Sequence, residues 1–443
     1  MHTILILGTG KSSTYLIDYL IGTAEAKNRQ IILADISEKI AAQKSGQSTF
    51  VTAKAINLKD DKNRQEIIKL SDVVISMLPA FLHPLIAKDC LELHKHLFTA
   101  SYESEEIRSM KLDVEEKGLL FLNECGLDPG IDHMSAMKII DQEKAKGNKI
   151  KSFKSYTGGV LTPESENNPW KYKFTWNARN VVLAGQGVSR FIRNGKYKYI
   201  PYHMLFRRLE TISFEDVGDF DGYPNRDSLS YRQIYGLDEI PTLLRGTLRR
   251  AGFCQSWDVF VQLGMTDDSF TMDLPDGFTY KMFINSFLPY DEIQSVENKI
   301  KELLPWVTEE ILEKIAWLGL FEEIELPLRK GSPAAILQVI LEDKWSLESG
   351  DKDMIVMQHL FEIETPRGTK KLTSSLVCKG TNQTYTAMAK TVGLPLAMAV
   401  DLFLDGKIKV RGLHTPIIPE IYEPILKMLE KENIGFLEKV SFN

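Results

Sequence analysis

The residues of this chain best suited to chemistry begin at Gly8-Thr9-Gly10-Lys11-Ser12-Ser13, directly after the apolar run Thr3 to Leu7. The first glycine permits a tight turn, and the second lets phosphate oxygens approach the backbone. A helix starting there offers free N–H groups and the positive end of its dipole. That is the geometry that receives a dinucleotide pyrophosphate. The third position of the glycine pattern is Ser13, where Gly or Ala is usual, so the turn alone is a weak match. A second apolar run, Ile31 to Ala34, ends at Asp35. An acidic residue about 20 residues beyond the glycines suits the adenosine ribose hydroxyls. The plain alternative is a strand ending in a solvated Asp. Gly10-Lys11-Ser12 also mimics the end of a P-loop, but that motif needs glycine where this chain has Leu5, which argues against nucleoside triphosphate chemistry.

A second candidate is the loop Asn123-Glu124-Cys125-Gly126-Leu127-Asp128-Pro129-Gly130-Ile131-Asp132-His133. Asp128-Pro129-Gly130 reads as a tight turn before a helix, with Asp132 as a cap for Met134 onward. The sharper reading sets Asp128 in a crevice, accepting a hydrogen bond from a substrate amine. Arginines form a third group: Arg226 in Tyr223-Pro224-Asn225-Arg226-Asp227-Ser228, and Arg245, Arg249 and Arg250 in the stretch that follows. Planar guanidinium donors suit a polycarboxylate, although any single Arg is more simply solvated or paired with a neighbour such as Asp227. Trp170 to Trp176 reads as partly core, with a nicotinamide wall as the alternative. His94 and His96 have poor spacing for a metal, and His133 reads as structural.

The elements that must position these residues alternate through the first third. Helices are expected over Ser37 to Ser45, Arg64 to Leu70 and Leu85 to His94. Strands are expected over Phe50 to Ile56, Asp72 to Met77, Leu97 to Ala100 and Leu119 to Leu122. This βαβ alternation predicts an α/β fold with a doubly wound parallel sheet of Rossmann type. Ligands lie beyond the carboxyl ends of such strands, where Leu78-Pro79, Ser101-Tyr102 and Cys125 to Asp128 converge with the glycine turn. The alternation stops near residue 130, and a second, α+β domain follows. Lys151 to Tyr156 and Phe270 to Leu274 read as strands, Met354 to Glu364 with Thr373 to Cys378 as a hairpin around Gly368. Tyr385 to Leu404 reads as a helix interrupted at Pro395, Ile421 to Lys431 as another, and Lys301 to Glu323 as a surface helical excursion.

The bulk numbers fit a globular protein of two or three domains: 443 residues, 43% hydrophobic and 26% charged. Lys plus Arg is 54 and Asp plus Glu 60, so the net charge of −6 gives no reason to expect nucleic acid or an anionic membrane. Cys90, Cys125, Cys254 and Cys378 are far apart, which predicts reduced thiols in the cytoplasm, with no disulfide framework and no zinc site. No basic, then apolar, leader opens the sequence, and its most apolar stretch, Val73 to Ala87, is too short to span a bilayer.

Taken together, Gly8-Thr9-Gly10, Leu78-Pro79, Ser101-Tyr102, Gly126 to His133 (GLDPGIDH), Tyr156 to Glu164, Tyr172 to Trp176, Tyr223 to Ser228 (YPNRDS) and Arg245 to Phe253 occur in an order that resembles the glutamate-forming saccharopine dehydrogenases, also called saccharopine reductases. Met388 to Gly393 and Arg411 to Leu413 extend the resemblance to essentially the whole chain. It implies a Rossmann domain over 1–128, an inserted α+β substrate-binding and dimerisation domain over 129–380, and a C-terminal helical segment over 381–443 that returns to the first. It implies a homodimer that interconverts saccharopine with glutamate and aminoadipate semialdehyde, using NAD or NADP, in lysine metabolism. Carried over by position, the substrate contacts fall on Ser101, Tyr102, Asp128, Arg226, Thr247, Leu248 and Arg249, with Asp128 and Tyr102 catalytic. Cofactor contacts fall on Gly8, Gly10, Lys11, Leu78, Leu127, Phe174 and Thr175, with Ser12 and Asp35 beside them.

Two departures matter. Thr157 stands where fungal members carry Cys, and it cannot act as a thiol acid–base group. Asp35 stands where the fungal enzymes carry a basic residue suited to a 2′-phosphate, and its carboxylate would repel that group, so the expected preference is NAD with NADP as the alternative. The runner-up readings are a dehydrogenase of another carboxylated secondary amine, such as carboxynorspermidine, and a dinucleotide-binding sensor without catalysis.

Overall fold

The computed structural model describes residues 1–46 and 48–442. The chain folds as two units, Met1–Ile150 with Glu362–Asn443, and Lys151–Phe361. The expected borders at 128 and 380 therefore move. The helix Ile131–Ala145 and the strand Gly368–Lys379 both belong to the first unit.

The first unit is built on β1 (His2–Leu7), β2 (Arg29–Asp35), β3 (Val51–Ala55), β4 (Val73–Ser76), β5 (His96–Thr99) and β6 (Leu120–Leu122). Their order is β3-β2-β1-β4-β5-β6, with the late strand Gly412–His414 beside β6, and all neighbours pair in parallel. Ile4, Leu5, Ile6 and Leu7 are all 0% exposed. A sheet covered on both faces needs continuous apolar strands, which is why β1 shows no alternation. The helices α1 (Thr14–Ala24), α2 (Glu38–Ser45), α3 (Asp61–Lys69) and α4 (His83–Glu92) connect the strands.

The helix Ala387–Leu404 lies against α1, so closely that a Cβ on Gly393 would come 2.9 Å from the Leu16 nitrogen. It runs through Pro395 without the expected interruption. Packing of a helix buried almost all round offsets the hydrogen bond that proline cannot make. By length and composition this helix could cross a membrane, but 78% of it is buried, as in the core of a soluble fold. Buried charge ties it to the sheet: Arg29 on β2 pairs with Asp401 and, at 2.7 Å, with Asp405, while Lys27 reaches Asp401 and Asp405 at 2.7 Å each.

The second unit carries β7 (Lys149–Leu161), β8 (Val188–Arg193), β9 (Lys196–Pro201), β10 (Glu210–Phe214), β11 (Gly218–Pro224) and β12 (Thr242–Arg250). The order is β10-β11-β12-β7, followed by the strand Asp353–Thr365; β10, β11 and β12 are antiparallel neighbours, and β12 and β7 run parallel. The β8–β9 hairpin leans on β12. Trp170, Tyr172, Phe253, Trp257 and Trp345 form an aromatic centre of edge and stacked contacts. The helical region expected as a surface excursion is part of this core. Helices Val296–Leu303 and Glu309–Trp317 bury Ile300, Ile311 and Ile315, because their apolar residues recur at helical spacing and need a partner. The strand expected over Phe270 to Leu274 shrinks to Met272–Asp273.

Candidate active site

The glycine turn leaves the carboxyl end of β1. Gly8 has φ +93°, and a Cβ there would sit 2.9 Å from the Met77 carbonyl oxygen after β4, so only glycine fits. Around Gly10 the opposite holds: a Cβ would meet nothing within 4 Å, leaving open space where the backbone faces an incoming phosphate. Gly10 caps a short 3₁₀ turn, Lys11–Ser13, that runs into α1, and no side chain caps it. The Ser13 N–H closes the turn onto the Gly10 carbonyl at 3.2 Å, and the N–H groups before it, left without a side-chain cap, suit a dinucleotide pyrophosphate. Ser13 explains its own departure from the pattern. It is buried and its hydroxyl donates to the Gly10 carbonyl at 2.8 Å. Ser12 is half-buried and Lys11 exposed.

Asp35 ends β2 beside the turn. Its Oδ2 accepts from the Thr9 N–H at 2.7 Å and from Thr9 Oγ1 at 2.8 Å, and its Oδ1 accepts from the Ile36 N–H at 2.8 Å. Asp35 thus holds the glycine turn in register with β2. Thr9, which sequence reasoning passed over, is the partner that makes this possible.

The ends of β4, β5 and β6 meet the same edge. Leu78 is half-buried, with its Cδ2 3.4 Å from the Cβ position of Gly8. Cys125 N–H donates to Thr99 at 3.1 Å, and Glu124 N–H donates to Ser101 at 3.0 Å. Gly126 presses on Ala100, where an added Cβ would come to 2.9 Å. Gly130 has φ +146° and no room at all, since its Cβ would fall 2.1 Å from the Gly126 oxygen. These backbone demands, together with the cis Asp128–Pro129 peptide, shape the loop. They bring Tyr102 and Asp128 together: the Tyr102 hydroxyl donates to Asp128 Oδ1 at 3.0 Å. Tyr102 is 45% exposed, Asp128 and Ser101 are half-buried, and Leu127 is buried.

Asp132 is not the cap expected for Met134. The helix begins at Ile131, and Asp132 Oδ1 reaches back to accept from Gly130 N–H at 2.7 Å. His133 is fully buried, with Nε2 2.8 Å from Glu124 Oε2. It braces the loop from within. His96 likewise accepts from Leu120 N–H at 3.0 Å, and burial with the nearby Arg411 pushes its pKa down to about 4.

The remaining expected residues lie in the second unit. Arg226 is exposed in the turn after β11, and its guanidinium makes no ion pair among the described residues. Thr247 Oγ1 donates to Asn225 Oδ1 at 2.7 Å, which fixes that turn against β12. Arg249 is only 6% exposed. Its Nη1 donates to the Leu248 carbonyl at 3.1 Å, its Nε has no partner, and the charge lies 5.3 Å from the Tyr172 ring and 5.7 Å from that of Phe253. It lines a small pocket with Phe206, Tyr223 and Trp257.

Leu248 is a correction: its side chain is 0% exposed and packs in the core, so it offers a substrate no side-chain contact. Phe174 and Thr175 are also enclosed, at 3% and 2% exposure, and Phe174 meets Trp345 edge-on. Within their unit they are core residues and form no open wall, because the aromatic spacing of that stretch serves packing. Thr157 is buried on β7, opposite Thr247 in register, and its hydroxyl has no partner among the described residues.

Comparison with known proteins covers both regions. Residues 4–122 match the family model "Saccharopine dehydrogenase NADP binding domain", and residues 126–434 match "Saccharopine dehydrogenase C-terminal domain". The chain is 35% identical over 445 residues to saccharopine dehydrogenase [NADP(+), L-glutamate-forming] of Saccharomyces cerevisiae, covering 98% of each. It is 34% identical to the mitochondrial alpha-aminoadipic semialdehyde synthase of Rattus norvegicus, over 98% of this chain and 47% of that protein, so it spans about half the length of such relatives. The solved apo saccharopine dehydrogenase (L-Glu forming) from Saccharomyces cerevisiae superposes with a TM-score of 0.89 at 33% identity, covering 100% of both chains.

Proposed function

The chain belongs to the saccharopine dehydrogenase family, and on that premise we propose that it interconverts saccharopine with L-glutamate and 2-aminoadipate 6-semialdehyde. A bound pyridine nucleotide supplies the hydride acceptor in the oxidative direction. Saccharopine is a secondary amine bearing three carboxylates. Hydride leaves its carbon only when the nitrogen is neutral, because the lone pair drives imine formation. The observation that carries this reading is the Tyr102–Asp128 hydrogen bond at the rim of the sheet that bears the glycine turn. The Asp128 carboxylate accepts the amine proton, and the Tyr102 hydroxyl orients it. Arg226 and Arg249 serve the substrate carboxylates, each with a guanidinium that no carboxylate among the described residues neutralises.

The choice of dinucleotide belongs to the same proposal. The fungal relatives are named for NADP(+), which favours NADP across the family. In this chain the Asp35 carboxylate is pinned beside the ribose end of the turn, and the next residue, Ile36, is apolar and 84% exposed. A 2′-phosphate there meets a fixed negative charge with no cation following it, so we assign NAD as the preferred partner of this chain. The expected result is saccharopine-dependent reduction of NAD with a higher kcat/KM than for NADP. No reduction of either by saccharopine would end the functional reading, whereas a higher kcat/KM with NADP would overturn only the preference. A homodimer, testable by light scattering, and a reducing cytoplasmic setting, which suits four unpaired buried cysteines, complete the proposal.

A further inference from the structure

Lys44, near the end of α2, turns its ammonium onto the glycine turn. Its Nζ donates to the Gly10 carbonyl at 2.7 Å, to Thr14 Oγ1 at 3.0 Å and to Ser13 Oγ at 3.3 Å. All three donors of the ammonium are thereby used on one peptide carbonyl and two hydroxyls of the turn that precedes and opens α1. Among the described residues no carboxylate forms an ion pair with it. Burial pushes its pKa down, with Asp18 and Asp35 pulling the other way from farther off. A lysine partly desolvated without a carboxylate partner is costly to a fold unless something else uses the charge.

We propose that Lys44 is a positioning residue for the dinucleotide: it draws the Gly10 carbonyl toward α2 and fixes a positive charge beside the pyrophosphate. The carbonyl end of the Gly10 peptide would repel phosphate oxygens if it faced them. Held by Lys44 and by the Ser13 hydroxyl, it is turned away, and the open side of Gly10 is left to the anion. The arrangement also gives Ser13 a purpose at the third position of the glycine pattern. A Gly or Ala there could neither donate to the Gly10 carbonyl nor accept from Lys44. The inference rests on the dinucleotide reading of this turn.

The test is calorimetric binding of NADH, NADPH and adenosine to the full chain and to Lys44→Met. Loss of the fixed charge and of the hold on the Gly10 carbonyl predicts Kd values raised on the order of tenfold for NADH and NADPH alike. Adenosine, which has no phosphate, should bind as before, and kcat at saturating dinucleotide should be kept. Unchanged NADH affinity would overturn the inference. So would an equal loss for adenosine, which marks mere distortion of the turn, or a loss confined to NADPH, which marks a 2′-phosphate contact. Should Lys44→Met fail to fold, Lys44→Gln keeps a donor without the charge and is held to the same outcomes. A parent chain that binds neither dinucleotide would instead defeat the premise.

Discussion

Each unit buries more than one arginine, and one from each, Arg29 and Arg249, are solvated in opposite ways. Arg29 in the first unit is 2% exposed and meets Asp401 and Asp405, with Lys27 sharing both carboxylates. Arg249 in the second is 6% exposed and meets aromatic faces, one peptide carbonyl and, among the described residues, no carboxylate. A buried guanidinium remains charged, so its desolvation must be offset. At Arg29 the protein offsets it completely, and the charge is spent on fastening β2 to the helix Ala387–Leu404. At Arg249 ring faces contribute only about 0.5–2 kcal/mol each, and on the proposed function the remaining hydrogen-bonding capacity serves a substrate carboxylate.

The largest effect expected from this contrast is on stability. Asp401→Ala removes the carboxylate shared by Arg29, Lys27 and Tyr19 and leaves Arg29 only Asp405; removing one partner of a buried pair costs about 3–5 kcal/mol, and the retained Asp405 sets the lower end of that range as the expectation. Denaturant unfolding measures that loss, while the proposed activity, read as kcat/KM of the remaining folded protein, should be unchanged. Arg249→Met sharpens the comparison from the other side. Replacing an unpaired buried charge by an apolar side chain of similar length should leave stability equal or raised. The same change should lower kcat/KM for saccharopine by roughly 10²-fold, the worth of a desolvated charge-assisted contact. An unfolded Arg249→Met beside a stable Asp401→Ala would reverse the contrast.

The smallest expected effect is a pH slope. Burial raises the Glu143 pKa, but hydrogen bonds from Lys146, Asn148 and Lys370 outweigh it and bring it from 4.5 to about 2. A carboxyl depressed in the folded state contributes stability above pH 4.5, and that contribution drains away as pH falls toward about 2. Glu143→Gln should flatten the fall in melting temperature through that window and leave the neutral-pH rate alone. A fall as steep as in the parent chain would show that this paired charge contributes nothing.

The first unit was readable in the sequence because its central strands β1, β2 and β4 are buried and read as short continuous apolar runs. Gly8, Gly10 and Asp35 could be named from spacing, and the loop around Asp128 from its two glycines and proline. The second unit was less readable. Its aromatic stretch Trp170 to Trp176 has no periodicity that separates a core from a cofactor wall, and only packing showed Phe174 to be core. Leu248 alternates with Thr247 and Arg249 along β12, so a contiguous segment could not all face one ligand.

Residue order by itself determined the βαβ frame, the glycine turn and the identity of the polar residues at its rim. These depend on runs of neighbours and on dihedral demands that local sequence encodes. Tertiary structure decided which charges are neutralised. Arg29 finds Asp401 across 372 residues, Lys44 finds Gly10 across 34, and Arg249 finds no carboxylate among the described residues. Whether a side chain is paired depends on what the fold brings beside it, and no periodicity along the chain records that.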